Sequence, residues 1–318
     1  MAVLQLRRLT RVRVWVANTD LEWFRYLAAS EPDEVNFWQP SVAIPIRLPR
    51  YAPWLFKLHV QDGGQIVGGG FFATFTSVTP RFAWESFAER NGAPTYQDFL
   101  RSLNRYSPRS IDPYVTHIGS SVLLEPFFLP QELWVEPPTD WSRNLVRGKA
   151  YDSTTGKGRL IWERVQAALD TLMASRTIAA VGEPSLPYGD PVLVRPRLGQ
   201  GAFRVMVTDA YERRCAVTGE RTLPVLEAAH IKPYPLVGRH ELANGLLLRS
   251  DLHTLFDRGY VTVTPDMHLR VSGRIKQEFQ NGRDYYALDK HEVRLPRPPD
   301  PPPLREFLEW HGDTVFRP

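Results

Sequence analysis

Residues 226–259 read LEAAHIKPYPLVGRHELANGLLLRSDLHTLFDRG, and the fold of the C-terminal half turns on them. Val225 to Ile231 is apolar and alternating, the pattern of a strand that delivers His230 near its end. Asn244-Gly245 is a turn signal, and Leu246, Leu247 and Leu248 behind it read as a second buried strand. Ser250 is placed to cap a helix that begins at Asp251, and Gly259 to end it in the left-handed conformation. His253 and Asp257 stand four residues apart on that helix and project from one face. The unit is strand, loop, strand, helix, with His230 facing a pair of potential metal ligands.

These residue types suit hydrolysis of a phosphodiester. An imidazole that titrates near neutral pH can take a proton from water, and a divalent ion held by His253 and Asp257 can stabilise charge on the phosphate and the leaving oxygen. Asn244 can fix the loop that orients His230 through side-chain bonds to backbone. At these positions the sequence resembles the HNH nuclease family, whose ββα-metal fold has this order and spacing. The resemblance implies that His230 is the general base, Asn244 the structural middle residue and His253 the metal-binding third position. Asp257 falls where the second helix ligand of colicin-type DNases lies. The flanking CAVTGE (215–220) and LFDRGYVTV (255–263) resemble the branch of bacterial restriction endonucleases, so the likeness covers roughly residues 200–275. One position departs. Many HNH enzymes carry an Asp or His immediately before the general base as a metal ligand, and here that residue is Ala229. The shell then relies on His253, Asp257, water, substrate phosphate or another residue such as Glu227 or Asp251. The cofactor implied is a divalent ion, Mg²⁺ or Mn²⁺, with Zn²⁺ or Ni²⁺ as alternatives.

Each member of the set also has a plainer reading. A single His at a strand end is more often structural than catalytic, Asn-Gly is more often only a turn, and a His and Asp four apart commonly pair on a helix surface. The conjunction favours a site. Lys232, Arg249 and Arg258 surround the motif and are candidates for DNA phosphate contacts, against the default that scattered surface cations do nothing specific. His240 reads as a solvated loop residue, His268 as a strand residue without a role, and Cys215 as a small buried side chain.

At 318 residues the chain exceeds the usual single-domain size, which makes two domains the expectation. One cysteine excludes an intramolecular disulfide and any zinc site built from cysteine pairs, and fits a reducing cytoplasm. No apolar run approaches the roughly 18 to 20 residues of a spanning helix, so no membrane partner is expected. The basic start, Met1 to Arg8, lacks the apolar core of a secretory signal. A net charge of +4 leans toward a polyanion partner, although plain enzymes are equally basic.

The N-terminal half reads mainly as strands: VRVWVANTD (12–20), VNFWQPS (35–41), WLFKLHV (54–60), IVGGGFFATFTSV (66–78) and IGSSVLLEPFFLP (118–130). Leu21, Phe24 and Leu27 mark one helix between them, and Tyr96, Phe99, Leu100 and Leu103 another. A small α+β barrel is expected, with Gly68, Gly69 and Gly70 at a bulge or close approach. The order of these strands is similar to the PUA superfamily, whose EVE, YTH and ASCH branches include domains that enclose a modified base in an aromatic pocket. That resemblance implies stacking on Trp38, with Asn36 and Gln39 reading the edge of the base; Trp15 and Trp84 are weaker candidates. The plainer reading makes any one of these tryptophans barrel core.

The expected architecture is α+β, a PUA-like β-barrel over residues 1–152 followed by a helical linker over 153–190 and a ββα-metal HNH nuclease over 191–318 with a Pro-rich tail. Ile161, Val165, Ala168, Leu169 and Leu172 form the apolar stripe of the linker helix, and Leu304, Phe307 and Leu308 that of a terminal one. The function expected is restriction of foreign, base-modified DNA, with DNA as partner and a homodimer left open. The rivals are a nicking nuclease of repair or mobile elements, and a nucleic-acid reader that no longer cuts.

Overall fold

The computed structural model describes residues 13–142, 144–179, 199–233, 237, 241–298 and 300–318. The chain divides into two compact units, the first ending at Arg197 and the second beginning at Leu198.

The first unit runs β1 (Arg13–Thr19), α1 (Leu21–Ser30), β2 (Glu34–Gln39), β3 (Pro53–Leu58), β4 (Ile66–Val78), α2 (Pro80–Phe87), α3 (Tyr96–Tyr106), β5 (Ile118–Phe128), β6 (Gly148–Asp152) and α4 (Gly156–Ala179). Its strands form one six-stranded sheet in the order β2-β5-β4-β3-β1-β6. Only β1 and β3 pair in parallel; the other neighbours are antiparallel. Successive side chains alternate faces, so β1 serves two cores at once. Val14 and Val16 pack with α4, while Trp15 and Ala17 pack with Trp23, Phe24 and Leu27 of α1.

The sheet curls strongly but does not close. Phe37 of β2 stacks on Phe56 of β3 at 5.9 Å although β5 and β4 lie between those strands in the hydrogen-bonded order. Gly68 and Gly69 allow that curvature, as expected: a Cβ on Gly68 would stand 2.3 Å from the Phe127 carbonyl oxygen, and one on Gly69 2.7 Å from that of Trp54. The expected closed barrel is therefore corrected to an open, curled sheet. Its edges are β2 and β6, and β6 comes from a Gly- and Pro-punctuated stretch whose pairing with β1 the sequence reading did not foresee.

The helix expected to link the halves is also reassigned. Ile161, Trp162, Val165 and Leu169 of α4 are buried in one core with Val14, Val16, Leu55 and Tyr151, so its apolar stripe covers a face of the first unit's sheet. Residues 180–190 of the expected linker, His240 and Arg239 lie outside the described residues.

The second unit runs α5 (Gln200–Ala210), β7 (Leu226–His230), β8 (Gly245–Arg249), α6 (Ser250–Asp257), β9 (Val261–Val263), β10 (Leu269–Val271), α7 (Arg274–Phe279), α8 (Arg283–Tyr286) and α9 (Arg305–Thr314). The strand, loop, strand, helix order is as expected, with β7 and β8 antiparallel and α6 directly behind them. Ser250 does not cap that helix. It is the first helical residue; the cap position falls to Arg249 and has no side-chain cap bond. Gly259 does take the left-handed conformation, at φ 73°. Among the described residues no helix is long and apolar enough to cross a membrane.

The terminal helix α9 is held by a buried histidine. His311, 2% exposed, stacks on Phe256 at 3.6 Å between ring centroids. Its Nε2 donates to the Phe256 carbonyl at 3.1 Å and its Nδ1 accepts from the Thr262 hydroxyl at 2.8 Å, a neutral tautomer. Burial pushes its pKa down from 6.5 to about 4. The unfolded chain therefore binds a proton that the folded one refuses, and stability falls as pH drops from about 6.5 toward 4. Calorimetric unfolding is expected to lose up to about 3 kcal/mol across that window. His311→Gln should flatten the dependence, and an equal slope in both proteins refutes the assignment.

Candidate functional site

His230 ends β7 opposite Gly245, the first residue of β8. Asn244 sits between the strands fully buried, and its amide closes a ring onto the chain just beyond the histidine. Its Oδ1 accepts the Lys232 N–H at 2.9 Å and its Nδ2 donates to the Lys232 carbonyl at 2.8 Å. Its own carbonyl accepts the Ile231 N–H at 3.0 Å. The two residues after His230 are thus fastened to Asn244, which fixes where the strand ends.

Gly245 serves a different purpose from the turn inferred from Asn-Gly. Its φ is −121°, ordinary extended backbone, so it is not a left-handed turn residue. A Cβ there would come within 2.6 Å of Val207 Cγ2 and 3.1 Å of Phe203 Cζ. The missing side chain leaves room for the Phe203 ring, which stacks face to face on His230 at 3.9 Å with 10° between planes. Phe203 comes from α5 and is 1% exposed. Nothing in the sequence paired it with His230.

On α6 both ring nitrogens of His253 meet carboxylates. Nδ1 stands 2.6 Å from Glu227 Oε2, and Nε2 stands 3.4 Å from Asp257 Oδ2. Glu227 lies two residues before Ala229 and so faces the same side of β7. It places a carboxylate on the face of β7 that Ala229 shares, directed to His253. Asp251, the other residue considered for that part, is committed elsewhere: Arg249 binds it through two bonds of 2.7 and 2.8 Å, which holds its carboxyl below the usual range. Desolvation raises the Asp257 carboxyl, with Glu227 adding to the rise and His253 opposing it. With 59% of that side chain exposed the desolvation is partial.

The donor set fits one side of a metal shell. A carboxylate on Nδ1 is the usual partner of a metal-binding histidine, because it fixes the tautomer that leaves Nε2 free to bind. His253 Nε2 and Asp257 Oδ2 stand 3.4 Å apart, close enough that both could hold one divalent ion. Among the described residues no group of three or more His, Cys, Asp or Glu is arranged to hold a metal ion. Of the three phosphate-contact candidates, Arg249 is paired with Asp251, Lys232 holds its ammonium 5.4 Å from the Trp310 ring centroid, and Arg258 is exposed.

The first unit contains a cavity of about 710 Å³ walled by Trp15, Trp23, Phe37, Trp38 and Trp54. Trp38 lines it, with its indole N–H fastened to the Asn91 carbonyl at 2.8 Å and its ring edge-on to Phe99. Gln39 also lines it, but its Nε2 is spent on the Ser41 and Ala43 carbonyls. Asn36 does not line it. Its side chain is fully buried between Asn91 and Ser120, donating to one and accepting from the other, so its expected part in reading a ligand is withdrawn. Trp84 packs on Phe99 and Tyr96 instead of lining the cavity.

Residues 215–264 match the HNH endonuclease family. The match spans β7, Asn244, β8 and α6, so the second unit carries an HNH nuclease domain and the chain is a nuclease by class. Among solved structures, a modification-dependent TagI restriction endonuclease is similar at 14% identity over 94% of this chain and 81% of that one. The TM-score of 0.28 is too low for the two to be treated as one arrangement. No curated protein matches the chain.

Asn244→Ala should leave the part-buried Lys232 N–H and carbonyl without these partners and lower stability by about 1 kcal/mol or more in urea unfolding. Unchanged stability removes the clamp. In the same unit Phe203→Leu should move the His230 ring-proton resonances downfield, because protons held over an aromatic face are shielded by it. Resonances that stay in place show that the two rings do not stack in solution.

Proposed function

We propose that the chain is a divalent-metal-dependent DNA endonuclease of the restriction type, which recognises its substrate through the cavity of the first unit and cuts with the second. The observation that carries the nuclease reading is the joint placement of an Asn244-clamped His230 and a His253 held between Glu227 and Asp257 on one hairpin and helix. His230 acts as general base and takes the proton from the attacking water; Phe203 stacks on its ring, and Asn244 fixes the backbone just beyond it. His253 and Asp257 would hold the ion, and Glu227 orients His253 from behind. The ion, when bound, supplies charge stabilisation at the phosphate and leaving oxygen. Among the described residues Lys232 and Arg258 have no ion pair of the kind that occupies Arg249, so they are the cations that would meet phosphates.

The base-modification reading rests on the aromatic walls around Trp38, which suit one extruded base. Foreign DNA that carries modified bases is the substrate this pairing of units suits. A second reading, a reader that binds without cutting, draws on Ala229 at a position where many HNH enzymes carry a ligand. Plasmid cleavage with Mg²⁺ or Mn²⁺ separates the two.

His230→Ala should slow cleavage by about 10² to 10⁴-fold while DNA binding persists. Undiminished cleavage by the pure variant rejects the base assignment. Chelation should abolish cleavage and Mg²⁺ or Mn²⁺ restore it, with Asp257→Ala and Glu227→Gln each demanding more metal for half-maximal rate, by about 10 to 100-fold for Glu227. Full activity in chelator demands a metal-free mechanism, and an unshifted metal titration takes the altered residue out of the shell.

A further inference from the structure

His253 and Asp257 are held by different parts of the chain. His253 is anchored to the hairpin, with Glu227 of β7 2.6 Å from its Nδ1. Among the described residues the only ion-pair partner of Asp257 is His253 itself, and 59% of the Asp257 side chain is exposed. The place of that carboxylate therefore depends on the backbone that carries it. Asp257 is the last residue of α6, a helix of eight residues. The closing carbonyls of a helix have no partner within it, and such ends fray unless something outside holds them.

What holds this end is the C-terminal segment. His311 Nε2 donates to the carbonyl of Phe256, the residue before Asp257, at 3.1 Å, and the two rings stack with 12° between planes. Beyond Asp257, the Arg258 carbonyl accepts from Arg317 Nε at 3.0 Å, and the Gly259 carbonyl accepts the Arg317 N–H at 2.9 Å. Gly259 leaves room for this approach, since a Cβ there would collide with the Val315 carbonyl oxygen. The backbone on both sides of Asp257 is thus tied to residues 311–317. The same segment begins where the Leu304 N–H donates to the Ala243 carbonyl at 2.9 Å, one residue before the Asn244 clamp. His311 is itself fixed, because the Thr262 hydroxyl on Nδ1 keeps the ring proton on Nε2, facing Phe256. An apolar ring would fill this buried place without the sensitivity to acid that a histidine brings. What the histidine adds is a donor for the Phe256 carbonyl.

We infer that His311 is a positioning residue of the metal pair: through the Phe256 carbonyl it holds the last turn of α6 so that Asp257 stays beside His253. This rests on the metal-dependent reading above and adds a residue outside the stretch that matches the HNH family, 215–264. His311 touches neither ion nor substrate. It acts through Asp257, which separates it from a residue that only stabilises the unit.

The test is Mn²⁺ binding to the full chain without DNA, read from the loss of the free ion's electron paramagnetic resonance signal. His311→Phe keeps an aromatic ring against Phe256 but removes the donor, and should weaken binding about tenfold, the low end of the loss when a partner that orients a metal ligand is removed. His311→Gln, whose amide nitrogen can reach the Phe256 carbonyl, should restore it. In the Asp257→Ala background His311→Phe should weaken binding no further, because residues that act through one another are not additive. A merely stabilising residue would cost as much in either background. Unchanged binding by His311→Phe, a Gln variant as weak as the Phe variant, or a loss that repeats in full without Asp257 overturns the inference and leaves the metal reading standing. A second measurement keeps His311 in place, and so decides the matter even if those variants fail to fold. Exchange of the His311 ring N–H should slow on Mg²⁺ binding more in the unaltered protein than in Asp257→Ala at equal saturation, because coupling between ion and helix end is reciprocal. Equal slowing overturns the inference. Absence of Mn²⁺ binding by the unaltered chain overturns the metal reading with it.

Discussion

Two hydrogen bonds between the Asn244 amide and the backbone of Lys232, at 2.9 and 2.8 Å, are the constraint on which the second unit's geometry depends. The chain leaves β7 immediately after the histidine, and without Asn244 the part-buried N–H and carbonyl of Lys232 would lose these partners. An amide is the side chain that can accept from an N–H and donate to a carbonyl of the same residue at once. That closure ends β7 at His230, sets His230 opposite Gly245, and lets the Phe203 ring lie against both. Asn244, Gly245, Phe203 and His230 are therefore one packed arrangement.

Much of that arrangement could be read from the chain, and the part that could not has a physical reason. Local signals succeeded: the alternation around His230, the three leucines of β8, the four-residue spacing of His253 and Asp257, and the left-handed Gly259 all depend on neighbours a few residues away. Gly245 misled because Asn-Gly has two uses, and a glycine demanded by a distant ring looks the same in sequence as one demanded by a turn. Phe203 lies 27 residues before His230, beyond the range of any periodicity. The curl of the first sheet was equally hidden: aromatic strands suggested a barrel, whereas β6, the added edge strand, is short and comes from punctuated sequence.

The stripe on α4 shows the same limit from the other side. Its apolar positions at Ile161, Val165, Ala168 and Leu169 predicted a helix correctly but said nothing about what the stripe would cover. Sitting between two domain-like regions, it invited the role of connector. Packing assigns it to the first unit, because Val14, Val16 and Leu55 present an apolar sheet face that would otherwise be wet, and burying such a face is worth more than leaving a helix free. Amphipathicity fixes that a partner exists; only the complementary surface says which.

Ala229 is where the chain departs from the expected pattern, and the periodicity of a strand explains how the site absorbs it. Moving a carboxylate by one residue along β7 would send it to the opposite face, whereas moving it by two keeps the face. Glu227 is two residues back, has the longer side chain, and reaches His253 Nδ1 at 2.6 Å. The change is not neutral in role, because a carboxylate on Nδ1 acts through the imidazole, and one beside the general base would act on an ion directly. With Asp251 tied to Arg249, His253 Nε2 and Asp257 Oδ2 are the paired donor atoms left beside each other on α6. A shell with two protein donors would take its remaining positions from water and substrate.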